Sequence, residues 1–146
     1  GHNWWNKFMA NPAPGFDLHP GYQVKITPIK DEVTVKANNQ VIARSKQAVL
    51  VEETKHKPVW YMPLTDINAD VLRTSETSTY CPFKGKASYR SVAVAGKTIE
   101  DAIWVYEAPF DECAAIAGYA SFYTNKVDLK VANQDIDNSG PGFQKD

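Results

Sequence analysis

The sequence predicts a mainly β domain, built as a strongly bent antiparallel sheet or an open barrel with two short helices. Many short segments alternate apolar and polar residues with the period of two that is typical of a half-buried strand. Turn-forming residues separate these segments, and no strand–helix–strand unit of crossover length occurs, which argues against a parallel sheet. Short antiparallel strands must cover their edges, and this requirement favours a barrel-like or folded-over sheet.

The composition is that of one domain with a sizeable core. The chain has 146 residues, of which 43% are hydrophobic and 23% charged, so a disordered or fibrous chain is excluded. Its net charge of -1 lacks the basic footprint of a nucleic-acid-binding protein. No apolar run has the length of a membrane span and no signal peptide opens the chain, so we expect no membrane partner and a cytoplasmic location.

Residues 1–21 are predicted to form an irregular N-terminal arm. The stretch 12–21 holds three prolines and two glycines, and proline removes amide donors and fixes φ. Trp4, Trp5 and Phe8 would be costly to leave in water, at roughly 25 cal/mol for each Å² of apolar surface. We therefore expect the arm to lie across the domain or across a second copy, which makes a homo-oligomer through the arm one expected partner.

The domain itself is predicted to cover residues 22–132 and to begin with five strands. The predicted strands are 22–26, 33–35, 41–44, 48–53 and 59–62. A tight connection at 30–31 predicts that the first two strands form a hairpin. Asn residues at 38–39 predict a turn, because asparagine tolerates left-handed φ. Asp66 predicts the N-cap of a short helix that runs to about residue 72.

The second half of the domain is predicted to hold the remaining strands and a second helix. Residues 75–79 are polar and predict a loop. The further predicted elements are strands 86–94 and 103–107, a helix at 112–117 that Gly118 ends, and a last hairpin formed by 119–124 and 127–131. Residues 133–146 predict a polar, fraying C-terminal tail.

The densest chemical segment is Cys-Pro-Phe-Lys-Gly at residues 81–85. An ammonium group from Lys84 near the Cys81 sulfur would favour the thiolate, which is the nucleophilic form. The alternative is a buried Cys81 that packs as a small hydrophobic residue, with Lys84 on the surface. Sequence spacing leaves both interpretations open, because no His or Asp partner is near in the sequence.

Aromatic and charged side chains from several predicted strands are expected to line one site. Trp104 and Tyr106 share a strand face, either as part of a core or as a wall on which a planar ligand stacks. Charged residues within apolar strands must pair or face a polar pocket. The residues predicted to converge are Arg44, Glu53, Tyr61, Asp66, Tyr89, Trp104 and Tyr106 as ligand contacts, with Cys81 and Lys84 as the catalytic pair. Glu53 or Asp66 would act as general base or orient Arg44.

No cofactor and no metal are expected. A structural zinc site needs four Cys or His ligands, commonly in close pairs. Only Cys81 and Cys113 are available as thiols, and His2, His19 and His56 are scattered over predicted loops.

The sequence resembles the DUF427 family, whose members have no established activity. The residues that carry the resemblance, between about Val24 and Val131, are Arg44-Ser45, Glu53, Tyr61-Met62-Pro63 with Asp66, Cys81-Pro82-Phe83-Lys84-Gly85, Tyr89, Ala102 to Tyr106 with Pro109, and Gly118 with Phe122. The resemblance implies a compact β domain similar to the β-tent folds that bind metal or small ligands, and it implies no reaction. The family is also labelled nucleotidyltransferase-like, which this chain supports little, because its one Asp-x-Asp, at 135–137, lies in the polar tail.

Two classes of function follow from these observations. The first is a small-molecule-binding protein or enzyme with an aromatic and charged pocket next to the Cys81 to Gly85 loop, its ligand unidentified. The alternative is a non-catalytic binding or assembly module in which the same cluster is structural or meets a peptide. The reactivity of Cys81 is expected to separate the two.

Overall fold

Two antiparallel β-sheets build the part of the chain that the computed structural model describes, residues 10–138 and 140–142. The strands are β1 (Val24–Pro28), β2 (Val33–Ala37), β3 (Gln40–Ser45), β4 (Val49–Glu53), β5 (Val59–Pro63), β6 (Leu72–Cys81), β7 (Gly85–Val94), β8 (Lys97–Tyr106), β9 (Tyr119–Phe122), β10 (Asp128–Val131) and β11 (Gln134–Asp135). The helical segments are α1 (Gly15–Leu18) and the 3-10 helices η1 (Leu64–Asp66), η2 (Ala69–Val71) and η3 (Asp111–Ile116). The predicted mainly β, antiparallel fold with short helices is confirmed, and the described strands do not close into a barrel.

The larger sheet has seven strands in the order β1-β4-β5-β9-β8-β7-β6, and the smaller has four in the order β11-β10-β2-β3. Every pairing in both sheets is antiparallel. No helix in the described part of the chain is long and apolar enough to cross a membrane.

The second half of strand β8 is buried on both faces of the seven-stranded sheet. Its side chains alternate, so Ile103 and Val105 join one apolar cluster with Val33 and Val35 of the smaller sheet. The side chains of Trp104 and Tyr106 point to the other face. That second cluster is lined by Val49, Val51, Val59, Tyr61, Cys81, Phe83, Ala87, Tyr89, Trp104, Tyr106, Cys113 and Ile116.

The predicted hairpin between the first two strands is wrong. Strand β1 pairs with β4, and β2 pairs with β3 and β10, so residues 30–31 pass the chain from one sheet to the other. The two strands serve different cores, since Val24 packs at the second cluster and Val33 belongs to the first. The predicted last hairpin fails in the same way, because β9 pairs with β5 and β8 while β10 pairs with β2 and β11.

Two local predictions based on polar residues need correction. Asp66 does not begin a helix; it ends η1 and accepts a 2.5 Å hydrogen bond from the Ser45 hydroxyl. Residues 75–79 lie within β6, where the hydroxyls of Ser75 and Thr77 donate to Asp101 at 2.5 and 2.6 Å. These bonds lower the pKa of the Asp101 carboxyl and accompany a register shift in β6.

The turn at 38–39 is confirmed, with φ of 50° and 64°. Within the described part of the predicted tail, Gln134–Asp135 form β11 and Asn138 is buried. Trp4, Trp5 and Phe8, whose burial the sequence predicts, lie outside the described residues.

Candidate functional site

A three-residue turn at 82–84 joins β6 to β7 and carries the site's cation. Gly85 follows it with φ of +115°, a region that glycine enters without a steric penalty. The Pro82 carbonyl accepts from the amide of Gly15 at 2.9 Å, and the Lys84 carbonyl accepts from the amide of Phe110 at 2.9 Å. The N-terminal segment and the start of η3 therefore hold this turn from both sides.

The Lys84 ammonium forms a fully buried ion pair with the last residue of β4. Its Nζ lies 2.5 Å from Oε1 of Glu53, and the two side chains are 0% and 1% exposed. Four strand-to-strand steps separate β4 from β7, which in a flat sheet would span about 19 Å. The contact forms because the sheet bends strongly and brings its far hairpin back over β4.

The ion pair is completed by residues that precede β1 and follow β11. The Tyr22 hydroxyl donates to Oε2 of Glu53 in a short hydrogen bond. The Lys84 ammonium also lies 3.4 Å from the Pro141 carbonyl and 4.0 Å from the Cys81 sulfur. A buried charge needs such partners, because desolvation penalises each ion heavily. Burial raises the pKa of Tyr22, and the Glu53 carboxylate raises it further, so Tyr22 is the donor.

The two cysteines are buried thiols. Desolvation raises the pKa of Cys81, and the nearby Lys84 charge opposes part of this rise. Desolvation raises the pKa of Cys113 to about 12, and its thiol donates to the Phe83 carbonyl at 3.4 Å. Both cysteines are therefore protonated at neutral pH. The thiolate that the sequence interpretation assigns to Cys81 is disfavoured by burial.

Alkylation by iodoacetamide should modify Cys81 faster than Cys113, although both react slowly in the folded protein. The thiolate is the reactive form, and the pKa of about 12 makes it rare at Cys113. The measurement is mass spectrometry of peptides after timed alkylation, with urea-unfolded protein as the control. Equal rates, or a faster Cys113, would contradict the expected influence of Lys84.

The aromatic side chains form a connected group on the same face. Trp104 Nε1 donates to the Tyr61 hydroxyl at 2.9 Å, with the two rings nearly perpendicular. The Tyr89 hydroxyl lies 3.3 Å from that of Tyr123, whose ring centroid is 4.7 Å from the Trp104 ring. The hydroxyl of Tyr106 is buried and has no hydrogen-bond partner among the described residues. Burial raises the pKa of both Tyr61 and Tyr106 well above the usual tyrosine value.

The structure brings seven of the nine predicted site residues to this face. They are Glu53, Tyr61, Cys81, Lys84, Tyr89, Trp104 and Tyr106. Sequence reasoning missed Tyr22, Tyr123, Pro141 and Gly142. No sequence signal placed them at the site. Tyr22 belongs to the predicted first hairpin, and Pro141 and Gly142 belong to the predicted tail.

Arg44 and Asp66 do not join the group. Both lie at the four-stranded sheet or next to it, away from the second cluster. The Arg44 side chain is 61% exposed and lies 3.7 Å from the Glu32 carboxylate, while Asp66 is bonded to Ser45. Arg44 alternates with buried neighbours on β3, so its side chain points to solvent. The predicted convergence assumed one sheet, and the presence of two separates these residues.

A cleft of about 370 Å³ lies beside the ion pair. It is lined by His56, Lys57, Val59, Tyr123, Gly140, Pro141 and Gly142. A Cβ on Gly142 would stand only 2.8 Å from Cδ of Glu53, so the tail backbone rests directly on that carboxylate. Within residues 10–138 and 140–142, no group of three or more His, Cys, Asp or Glu side chains could hold a metal ion.

A comparison with known protein families covers only some of the site residues. A family model described as a domain of unknown function (DUF427) matches residues 25–133, which is most of the chain. A comparison with curated proteins gave no match. The matched range includes both partners of the ion pair, Glu53 and Lys84. It excludes Tyr22, Pro141 and Gly142, so the segments that complete and cover the pair lie outside the matched region.

Proposed function

Since the chain belongs to the DUF427 family, a domain of unknown function, we propose its function from the geometry of the site: it binds a small molecule in the cleft beside the Lys84–Glu53 pair. The observation that carries the proposal is a fully buried ion pair in an otherwise apolar and aromatic cluster. Replacing a buried pair by well-packed apolar residues is often neutral or stabilising. Stability alone is therefore a poor reason to keep these charges, and binding is a better one.

The lining of the cleft supports a ligand with an anionic group and a planar part. His56 and Lys57 lie at its walls, and the Lys84 ammonium lies beneath Pro141. The Tyr123 ring offers an aromatic face on the same cleft. The volume of about 370 Å³ falls within the range of about 300–1,000 Å³ that small-molecule sites have.

A thermal-shift screen of the full chain against a metabolite library tests the proposal. A ligand that binds only the folded state should raise the melting temperature by mass action. The variant Lys57→Gln should reduce the shift, because Lys57 lines the cleft. The matched control is Lys36→Gln, which changes an exposed lysine of β2 in the four-stranded sheet.

Two outcomes would contradict the proposal. If no compound of the library raises the melting temperature, the small-molecule class loses its support. If Lys57→Gln and Lys36→Gln give equal shifts with every stabilising compound, the ligand binds somewhere other than this cleft.

A non-catalytic module in which the cluster is structural is the second candidate. The burial of the rings favours it, because Tyr61, Trp104 and Tyr106 are at most 1% exposed and Trp104 already donates to Tyr61. Such a module would lose stability on substitution of these rings and would gain none from a small molecule.

Three further expectations remain predictions. They are a nucleophilic role of Cys81 with Lys84 as its electrostatic partner, a cytoplasmic location, and an oligomer formed through residues 1–21. Alkylation of Cys81, described above, addresses the first of these directly.

A further inference from the structure

The C-terminal segment 140–142 contacts both charges of the buried ion pair. The Pro141 carbonyl accepts from the Lys84 ammonium at 3.4 Å, and the Gly142 backbone rests against the Glu53 carboxylate. The same three residues line the cleft. The segment thus stands between the ion pair and the space that a ligand would enter.

The residue types of this segment suit a close approach to two buried charges. Proline has no amide N–H, so Pro141 offers Lys84 an acceptor without adding a donor that would need its own partner. Gly142 has φ of +85° and no Cβ, and an added Cβ would collide with the Glu53 carboxyl group. A side chain at this position would push the segment away from the pair.

Asn138 anchors the start of the segment to the strands. Asn138 is fully buried; its side-chain oxygen accepts from the Trp60 amide at 3.3 Å, and its side-chain nitrogen donates to the Ser121 hydroxyl at 3.0 Å. The following contact with Lys84, at 3.4 Å, is longer than the 2.5 Å bond of the same ammonium to Glu53. Asn138 is thus fixed by bonds to Trp60, Thr124 and Ser121, whereas the Pro141 carbonyl is bonded to the ammonium that a ligand would also contact.

We propose that residues 140–142 are a built-in occupant of the ligand site, a strap that a ligand displaces when it binds. This inference rests on the proposed function and adds the class of ligand. The ligand presents a carbonyl or carboxylate oxygen to Lys84 in place of the Pro141 carbonyl. Next to this group the ligand carries a methylene carbon, which takes the place of the Gly142 Cα against Glu53.

The variant Gly142→Ala in the full chain tests the strap without any knowledge of the ligand. Its new methyl group should displace the segment. Because the Lys84 ammonium that contacts Pro141 also lies 4.0 Å from the Cys81 sulfur, the rate of Cys81 alkylation by iodoacetamide should then rise about tenfold or more. Gly96→Ala is the matched control, since Gly96 also has a positive φ, of +75°, but no atom within 4 Å of an added Cβ. It reproduces the backbone strain without the collision.

A peptide with the sequence of residues 139–146 then tests occupancy of the site. Added to the Gly142→Ala protein, it should return the alkylation rate toward that of the unchanged chain, and the same peptide with alanine at the Gly142 position should not. A general loss of stability would not be reversed by the peptide. Equal alkylation rates for Gly142→Ala and Gly96→Ala, or no protection by the peptide, would overturn the strap. Ligand binding is measured separately in the thermal-shift screen, so a failure of the strap and a failure of ligand binding give different results.

Discussion

Replacing Lys84 by methionine should lower the free energy of unfolding by about 3–5 kcal/mol. The substitution leaves the Glu53 carboxylate buried, with its side chain 1% exposed, and removes the cation that compensates it. The Tyr22 hydroxyl remains as a donor to Glu53, but one neutral donor does not replace an ammonium. Urea denaturation of the variant and the unchanged chain measures the difference directly.

A double-mutant cycle separates the interaction free energy of Glu53 and Lys84 from the cost of losing one side chain. Glu53→Gln combined with Lys84→Met should recover most of the lost stability, because no charge is then left buried and unpaired. The exposed pair of Lys57 and Asp137, with side chains 71% and 61% exposed, is the control, and Lys57→Met should cost at most about 1 kcal/mol. A cost below about 1 kcal/mol for Lys84→Met would contradict the burial of the pair.

Replacing Phe83 by alanine should cost about 3–5 kcal/mol, the amount typical of a large aromatic side chain removed from a core. Phe83 is 0% exposed, stacks on Tyr22 at 3.9 Å between ring centroids, and meets Phe16 edge-on at 5.0 Å. Its loss would free the turn at 82–84 from the N-terminal segment. Urea denaturation measures the cost, and alkylation of Cys81 should be faster in the variant.

Tyr80→Ala is the matched control for Phe83→Ala. Tyr80 is an aromatic residue next to the same turn, but it is 39% exposed. Its replacement should cost about 1 kcal/mol or less. If the two variants lose the same stability, the turn is not anchored through the Phe83 ring.

Most strands, with β6 as the clear exception, could be predicted because alternation and turn chemistry act locally. Strand β8 is the clearest case, since Trp104 and Tyr106 were expected on one face and Ile103 and Val105 on the other, and the two faces belong to different cores. Turns at asparagine pairs follow from the same local rules. These signals depend only on neighbouring residues, which a sequence displays directly.

The partner of each strand could not be predicted. Strands β1 and β2 are separated by a short connection, yet they lie in different sheets. The choice depends on which apolar faces fill which core, and both strands present valines of similar shape. Period-two alternation says that a strand has a buried face but not which sheet will cover it.

The site shows the same division between local and distant information. Glu53 and Lys84 were both expected at the site, since charged residues within apolar surroundings need compensation, but as the partners of Arg44 and Cys81 and not of each other. Tyr22, Pro141 and Gly142 could not, since they approach the pair only when the bent sheet and the chain ends are assembled. Arg44 was included wrongly because its exposure depends on a second sheet.

The measurement that tests the central claim most directly is calorimetric titration of the most stabilising library compound into two proteins. One is the unchanged chain, and the other is the double variant Glu53→Gln with Lys84→Met, in which the charges are removed together and stability is largely kept. If the buried pair serves ligand binding, the affinity should fall about tenfold or more in the double variant, since a hydrogen bond to a charged group is lost. Equal affinity for both proteins would contradict the claim and leave the ion pair without a role in binding.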